Sequence, residues 1–404
     1  MILPHHNTFK RKAFKAKVIM KNLRSHHTIK PSYIREILQA ATNTEVISLA
    51  GGLPAESSFP VEIFREATSR LLDDPTALQY STTEGEHALR HWVAKRHKAE
   101  SSQILITNGA QQAMDLVART FIEAGDKVVV EVPAYLGALQ VFQLARANII
   151  SIVQTPTGPD LEQLESAFQQ RPKLFYAVPD FHNPTGCCWT GETRREVVNL
   201  AEKYGVMIME DAPYRELRYS GLSLPSLYEL APEQVCHIGS FSKVAAPGLR
   251  LGFLCAGSHG QDELISQVAL VKQATDLHSS TFCQRLLLSY LKEPLYSAHI
   301  HKLQNDYRHL RDTLINALQR CLGNKVNFSC PEGGMFLWPT LPGVNTDELA
   351  KQALKNHVAI VPGSVFYPNQ ATATNNKMRL NFTHATADLL IEGVERLSDL
   401  ITTM

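Results

Sequence analysis

The segment Ser240–Gly252 reads Ser-Phe-Ser-Lys-Val-Ala-Ala-Pro-Gly-Leu-Arg-Leu-Gly. A lysine amine attacks an aldehyde only when it is neutral, and burial or a cationic neighbour favours the neutral form. Arg250 is such a neighbour of Lys243. Two serines and an arginine also suit a bound phosphate. The segment therefore predicts a reactive lysine beside a phosphate site, with a plain surface lysine as the alternative.

On both sides of this segment, from residue 103 onward, short apolar runs alternate with longer amphipathic ones. This alternation predicts an α/β fold, with a mostly parallel seven-stranded sheet covered by helices on both faces. The candidate strands are Ile104–Thr107, Lys127–Glu131, Ile149–Val153, Leu174–Val178, Val206–Glu210, Val235–Ile238 and Leu251–Cys255. The helical patterns between them include Gln111–Ile122, Leu161–Phe168 and Glu192–Lys203.

The chain after about residue 290 has a different pattern, with long helices and then short strands near Gly334–Trp338 and Lys377–Phe382. We expect a large domain over residues 61–290 and a smaller α/β domain over 291–404. Residues 31–60 are predicted to join the small domain and the site, and residues 1–30 to form a basic extension.

Polar motifs follow four of the candidate strands. They are Asn108-Gly109-Ala110-Gln111, Asn183-Pro184-Thr185-Gly186, Asp211 and the segment that contains Lys243. The carboxyl ends of parallel strands share one edge of a sheet, where ligands bind. We therefore expect these motifs to lie together.

Asp211 directly follows an apolar run, and a carboxylate there is costly unless it is paired. A protonated ring nitrogen would pair with it, whereas a helix N-cap is the alternative. Tyr214 lies close enough in sequence to hydrogen-bond a phenolic oxygen of the same ring.

The other motifs also admit two interpretations each. Gly109 opens a helix whose free N–H groups favour phosphate, or it serves close packing alone. Asn183 lies in a turn sequence and can also donate to a ring oxygen. Tyr135 can stack on an aromatic ring or be an ordinary core tyrosine.

Taken together and in this order, these motifs resemble the class I/II aminotransferases of pyridoxal-phosphate (PLP) fold type I. The resemblance implies that Lys243 binds the cofactor as a Schiff base and moves a proton, while Asp211 pairs with the ring nitrogen. It implies that Asn183 and Tyr214 contact the phenolic oxygen, and that Tyr135 stacks on the ring. The phosphate would be held by Gly109, Ala110, Gln111, Ser240, Ser242 and Arg250.

The resemblance covers roughly residues 30–400. Met378-Arg379-Leu380-Asn381-Phe382 is similar to the segment whose arginine binds the substrate α-carboxylate, so Arg379 takes that role, with Asn183 beside the substrate. Leu78-Gln79-Tyr80-Ser81 resembles the segment whose tyrosine reaches the phosphate of the neighbouring subunit. The resemblance therefore implies a homodimer with shared sites.

Three stretches resemble the 2-aminoadipate/kynurenine branch of the family: Ser32–Leu38, Ile47–Pro54 and Val361–Gly363. The branch implies donors such as 2-aminoadipate, glutamate, aromatic or branched-chain amino acids, with 2-oxoglutarate as acceptor. It implies that Gly52 covers the substrate and that Arg35 meets a distal carboxylate, with a solvated helix residue as the alternative for Arg35. The run Cys187-Cys188-Trp189 and the basic extension depart from the branch.

The composition gives no sign of nucleic-acid or membrane binding. The 404-residue chain has a net charge of +1, and its seven cysteines lack paired metal-ligand spacing. We expect reduced thiols, no metal site and a cytoplasmic enzyme. Residues 1–35 contain no acidic residue and are either a solvated tail or a transit peptide.

Two other functions fit part of this pattern. A lyase, decarboxylase or racemase of the same fold differs only in which Cα bond breaks. An aminotransferase-like regulatory domain would need a DNA-binding domain before it, and about thirty residues are too few for one.

Overall fold

The central element of the fold is a sheet of eight strands. The computed structural model describes residues 45–257, 262–369 and 373–403. The basic extension and Arg35 lie outside these residues. After a short strand β1 (Ile47–Ser48), the strands of the central sheet are β2 (Ile104–Thr107), β3 (Lys127–Val132), β4 (Asn148–Thr155), β5 (Gly158–Pro159), β6 (Leu174–Ala177), β7 (Met207–Asp211), β8 (Val235–Ser240) and β9 (Gly252–Cys255).

The sheet is mostly parallel, in the order β2-β9-β8-β7-β6-β3-β4-β5. Strands β4, β3, β6, β7 and β8 pair in parallel, whereas β9 is antiparallel to both of its neighbours. Strand β2 therefore runs in the same direction as β8. The chain leaves β3 for β4 on one side and returns to β6 on the other, which makes the carboxyl edge at β3 and β6 a switch point of the kind where ligands bind.

All seven strands expected from the sequence are present, with ends within two residues of the prediction. The eighth strand, β5, is only the pair Gly158-Pro159, antiparallel to β4. Two residues cannot display an apolar alternation, so the sequence pattern contained no signal for it.

Helices cover both faces of the sheet. Adjacent strand residues point to opposite sides, so that Leu105 packs in one apolar cluster and Ile104 and Ile106 pack in the other. The helices are α1 (Val61–Leu72), α2 (His87–His97), α3 (Ala110–Phe121), α4 (Leu136–Leu144), α5 (Leu161–Phe168), α6 (Gly191–Tyr204), α7 (Leu227–Leu230), α8 (Asp262–Asp276), α9 (Thr281–Tyr290), α10 (Leu295–Leu322), α11 (Thr346–Lys355) and α12 (Ala387–Thr403). Helices α3, α4 and α8 cover the Leu105 face, and α2, α5 and α6 cover the other.

Two small sheets form from the later part of the chain. Strands β10 (Phe336–Leu337) and β12 (Val361–Pro362) flank β13 (Met378–Asn381) in antiparallel pairs. The early strand β1 pairs in parallel with β11 (Val358–Ala359). This pairing places the segment that leads into Gly52 beside a strand from the later part of the chain. The expected domain boundaries stay a prediction.

Three general properties complete the fold. All seven cysteines are free thiols. No helix in the described ranges is both long and apolar enough to cross a membrane. Within the same ranges, no group of three or more His, Cys, Asp or Glu side chains is arranged to hold a metal ion.

Candidate active site

A cavity of about 390 Å³ lies where the carboxyl ends of the strands meet. The loops after β2, β3, β6, β7 and β8 all reach it, together with the segment after β1 and strand β13. Most of the residues predicted from the sequence line it: Gly52, Ala110, Gln111, Tyr135, Asn183, Asp211, Tyr214, Ser240, Ser242, Lys243, Arg250 and Arg379.

Lys243 extends from the turn after β8, and its Nζ donates a hydrogen bond to the carbonyl oxygen of Gly52 at 2.8 Å. Burial, Arg379 and Arg250 lower the pKa of Lys243 to about 8, against a smaller opposing effect of Asp211. A fraction of the amine is therefore neutral near neutral pH, as a nucleophile or proton acceptor must be.

Asp211 is the last residue of β7 and is only 3% exposed. Its Oδ2 accepts a hydrogen bond from the Tyr176 hydroxyl at 2.7 Å, while its Oδ1 is buried without a partner among the described residues. A turn rather than a helix follows, so Asp211 does not cap a helix. Burial raises the pKa of Asp211 to about 6 although the Tyr176 hydrogen bond lowers it. Oδ1 can therefore still accept a hydrogen bond, and a cationic donor at Oδ1 would favour the ionised form of the Asp211 carboxyl group.

The first turn of α3 also lines the cavity, through Ala110 and Gln111. Gly109 caps this helix with φ of 83°, a left-handed conformation that favours glycine. A Cβ atom there would lie 2.9 Å from Nη2 of Arg250, so glycine also lets the guanidinium approach the helix. The backbone N–H of Ser242 donates to Ser240 Oγ at 3.2 Å. A helix N-terminus, two serines and an arginine together form a site for phosphate.

Arg379 lies on β13 and is 1% exposed, so burial lowers its pKa to about 10. Its Nη1 donates to Asn183 Oδ1 at 2.8 Å and its Nη2 to the carbonyl oxygen of Ala50 at 2.5 Å. Its guanidinium carbon lies 4.4 Å from the ring centroid of Phe336. The Nε is buried without a partner in the described ranges. Arg379 is thus held rigidly and keeps a free donor for an anion.

Two tyrosines complete the lining. The Tyr135 hydroxyl donates to Gln111 Oε1 at 3.3 Å, and Asn183 Nδ2 donates to the Tyr214 oxygen at 3.4 Å. Burial raises the pKa of Tyr135 to about 12 and moves that of Tyr214 further above its ordinary value. Both hydroxyls stay protonated and can donate to a ligand oxygen.

Two predicted site residues that the structure describes, Gly109 and Tyr80, are absent from the cavity lining. Gly109 lies directly beside it as the cap of α3. Tyr80 is 77% exposed, and its ring meets the edge of the His278 ring with centroids 5.7 Å apart. Arg35 lies outside the described residues.

Sequence reasoning missed Tyr176 and the carbonyl groups that hold the site. Tyr176 stands inside the apolar run of β6, where it looked like a core residue. The only available signal was that a buried tyrosine hydroxyl needs a hydrogen-bond partner. The carbonyl oxygens of Ala50 and Gly52 have no signal in the side-chain sequence.

The charges of the cavity indicate the kind of ligand that it takes. Of the described charged side chains that line it, three are cationic (Lys243, Arg250 and Arg379) and only Asp211 is acidic. Two of the cations lie at separate places, Arg250 at the first turn of α3 and Arg379 on β13. Arg379 is buried, Lys243 is half-buried and Arg250 is exposed. Anions would balance this excess of positive charge, so the site suits a ligand set with two anionic groups and one cationic N–H.

Comparisons with known proteins agree with this geometry. Residues 44–397 match the profile of the family described as aminotransferase class I and II. The chain is 38% identical to aromatic-amino-acid aminotransferase 1 of Thermococcus litoralis, over 92% of each chain.

Two solved structures are also similar. The α-aminoadipate aminotransferase of Thermus thermophilus, complexed with N-(5′-phosphopyridoxyl)-L-leucine, is 37% identical with a TM-score of 0.86, over 93% of this chain and 95% of that one. The kynurenine aminotransferase of Pyrococcus horikoshii, solved with PMP, is 35% identical with a TM-score of 0.89, over 96% and 99%.

The matched segment includes every described residue of the cavity, and the relatives are alike over nearly their whole lengths. The chain therefore belongs to the aminotransferase class I and II family and is a PLP-dependent aminotransferase that resembles the 2-aminoadipate/kynurenine branch.

Proposed function

We propose that this aminotransferase moves the amino group of an L-amino acid to a 2-oxo acid by a ping-pong mechanism. The proposed donors are 2-aminoadipate, glutamate, aromatic and branched-chain amino acids, and 2-oxoglutarate is the proposed acceptor for every donor other than glutamate. The observation that carries the proposal is the charge pattern of the cavity, which is lined by three cations and by Asp211, whose Oδ1 has no partner among the described residues. Relatives named for 2-aminoadipate and for aromatic amino acids support this range of donors.

The cavity fits pyridoxal 5′-phosphate residue by residue. Asp211 Oδ1 is a buried acceptor without a partner in the described chain, and the protonated ring nitrogen is the donor that would satisfy it. Tyr135 would stack on the ring, and Asn183 and Tyr214 would donate to its phenolic oxygen. The phosphate would be held by Gly109, Ala110, Gln111, Ser240, Ser242 and Arg250.

The bound cofactor supplies an electron sink for the charge that develops at the substrate Cα. Lys243 takes the proton from that carbon, because its lowered pKa leaves part of the amine neutral. The hydrogen bond to Gly52 O fixes the position of Nζ in the cavity. The Asp211 carboxylate would accept the ring N–H on Oδ1, which has no partner in the described chain, and its negative charge would favour the protonated form of that nitrogen.

Arg379 is the group that we assign to the substrate α-carboxylate. Contacts with Asn183 and with the carbonyl oxygen of Ala50 hold its guanidinium in place, and its free Nε adds a donor. A planar guanidinium in a fixed orientation suits the bidentate recognition of a carboxylate. Asn183 thus links the substrate anchor to the tyrosine hydroxyl of Tyr214.

The side chain of the substrate would meet an apolar part of the lining, formed by Leu53, Met114 and Leu136. Such a surface accepts aromatic and branched side chains without a desolvated charge. An acidic side chain needs a further cation, and Arg35 is our candidate from the sequence.

We further propose a cytoplasmic homodimer in which Tyr80 contacts the cofactor phosphate of the partner subunit. In support, Tyr80 is a large side chain that stays 77% exposed in the single chain. Mixing inactive Lys243→Ala protein with an inactive Tyr80 variant should restore some activity, because one of the two sites in a mixed dimer is then intact. A fully active monomer at micromolar concentration would refute shared sites.

The test of the main proposal follows the cofactor by absorbance. An amino acid alone, without any 2-oxo acid, should convert the bound cofactor to its pyridoxamine form and release one equivalent of 2-oxo acid. Adding 2-oxoglutarate should restore the starting spectrum and yield glutamate. A panel of donors then ranks the substrates. Steady turnover of the amino acid without an acceptor, with release of CO₂ or ammonia, would instead indicate a decarboxylase or a lyase.

A further inference from the structure

We propose that Tyr176 is a positioning residue of the reaction. Its hydroxyl donates a hydrogen bond to Oδ2 of Asp211, which leaves Oδ1 to accept a hydrogen bond from the ring nitrogen of the cofactor. The inference rests on the proposed role of Asp211. It assigns a function to a residue of β6 that the apolar strand pattern had placed in the core.

The geometry fixes this hydrogen bond firmly. Tyr176 and Asp211 are 2% and 3% exposed, and their oxygens are 2.7 Å apart. They lie on the neighbouring parallel strands β6 and β7, with Tyr176 paired in register with Met209. The Tyr176 ring also packs edge-on against Phe142, with centroids 5.8 Å apart and planes at 72°. Neither partner can turn away without disturbing the core.

The tyrosine acts only as a donor here. Burial and then the neighbouring Asp211 raise the pKa of Tyr176 well above its ordinary value, so the hydroxyl keeps its hydrogen at any working pH. A carboxylate oxygen that accepts from a neutral hydroxyl is stabilised in the ionised form. The Tyr176 hydrogen bond is the largest of the effects that lower the pKa of Asp211 against the effect of burial.

The other charged groups around Asp211 do not replace this contact. His237 and Lys243 lower its pKa and Glu210 raises it, each through space. Glu210 is itself occupied, since it pairs with His237 Nδ1 at 2.8 Å and accepts from backbone N–H groups at the start of α7. Asp211 also raises the pKa values of Tyr135 and Tyr214 through space, and the hydroxyls of these two tyrosines have other hydrogen-bond partners, Gln111 and Asn183. Tyr176 is thus the described side chain that hydrogen-bonds the carboxylate.

Removal of this hydroxyl has two expected consequences. The pKa of Asp211 rises, so that its charge is lost at a higher pH. The carboxylate is also free to turn, so that Oδ1 is no longer held in one direction. Both changes weaken the contact with the ring nitrogen while the packing around a phenyl ring stays the same.

The experiment compares Tyr176→Phe with Tyr219→Phe in the purified holoenzyme. Tyr219 is a matched control: it is also 2% exposed, and its hydroxyl donates to the backbone carbonyl of Gly334, away from the cavity. The first readout is the dissociation constant of the cofactor, titrated by absorbance against pH. The second is the separate effect on kcat and KM.

We expect Tyr176→Phe to weaken cofactor binding by about tenfold or more, the scale of a hydrogen bond to a charged group. The pH below which binding fails should rise by about one unit. The kcat should fall more than KM changes. Tyr219→Phe should match the wild type in every readout. Unchanged cofactor affinity and an unchanged pH profile in Tyr176→Phe would overturn the inference.

A double-mutant cycle with Asp211→Asn separates this inference from the proposed function. If Tyr176 acts through Asp211, Tyr176→Phe adds little in the Asp211→Asn background. Equal losses in both backgrounds would show that Tyr176 acts independently of Asp211 and would overturn the inference. If Asp211→Asn alone has normal turnover and affinity, the proposed role of Asp211 itself fails.

Discussion

The substitution Lys243→Met should stabilise the cofactor-free protein at neutral pH. Methionine keeps most of the volume of the lysine side chain and removes its charge. The pKa of Lys243 is lowered from 10.5 to about 8, chiefly by burial, so the folded chain binds this proton less tightly than the unfolded chain does. At about 1.4 kcal/mol for each pH unit, the difference is worth about 3 kcal/mol. Because the side chain is only partly buried, we expect about 2 kcal/mol.

The sign of the pH dependence follows from linkage. Below pH 8, Lys243 is charged in both the folded and the unfolded protein, and burial of this charge lowers the free energy of unfolding by its full amount. Between about pH 8 and 10.5 the folded state binds fewer protons than the unfolded state, so the wild type gains stability as the pH rises. The advantage of Lys243→Met should therefore shrink over this interval. The hydrogen bond to Gly52 O is lost at both pH values, so a comparison of the two isolates the charge.

The assay is urea unfolding of cofactor-free protein at pH 7 and pH 10, followed by circular dichroism. The control is Lys95→Met, a change at an exposed lysine of α2. Its free energy of unfolding should differ from that of the wild type by the same amount at both pH values. If the difference between Lys243→Met and the wild type is the same at both pH values, the lysine is not desolvated in the fold and the reasoning is wrong.

Three further predictions concern the reaction. Lys243→Ala should abolish turnover and leave the fold intact, and borohydride should fix the cofactor of the wild type to Lys243; a labelled peptide centred on another lysine would end the assignment. Asp211→Asn should bind the cofactor but lower kcat by several orders of magnitude, at about 1.4 kcal/mol for each tenfold, whereas near-normal turnover would leave Asp211 a structural role only. Arg35→Ala should lower kcat/KM for 2-aminoadipate or glutamate by about tenfold to a hundredfold and leave leucine nearly unaffected, as expected for one charge-assisted contact. Equal losses on acidic and apolar substrates would show that Arg35 supports structure instead.

The central sheet could be predicted because its signal is local. Each parallel strand is buried on both faces and therefore appears as a short apolar run, such as Leu174–Ala177. Turn chemistry marks where these runs end, which located the motifs around Asn183 and Lys243. The two-residue strands β10 and β12 are set by pairing with β13, further along the chain, so their ends could not be predicted from local pattern. Strand β5 pairs with the preceding β4 but is too short to show a pattern.

The sequence by itself determined the kind of chemistry, because the residue types after each strand must meet at one edge of a parallel sheet. Lys243, Asp211 and Asn183 were predictable for that reason. Only the tertiary structure decided how these groups are held. The lowered pKa of Lys243 and the free Oδ1 of Asp211 depend on burial and on neighbours from β6 and β13, far away in the chain. Solvation and hydrogen bonding act through space, so these properties exist only once the chain has folded.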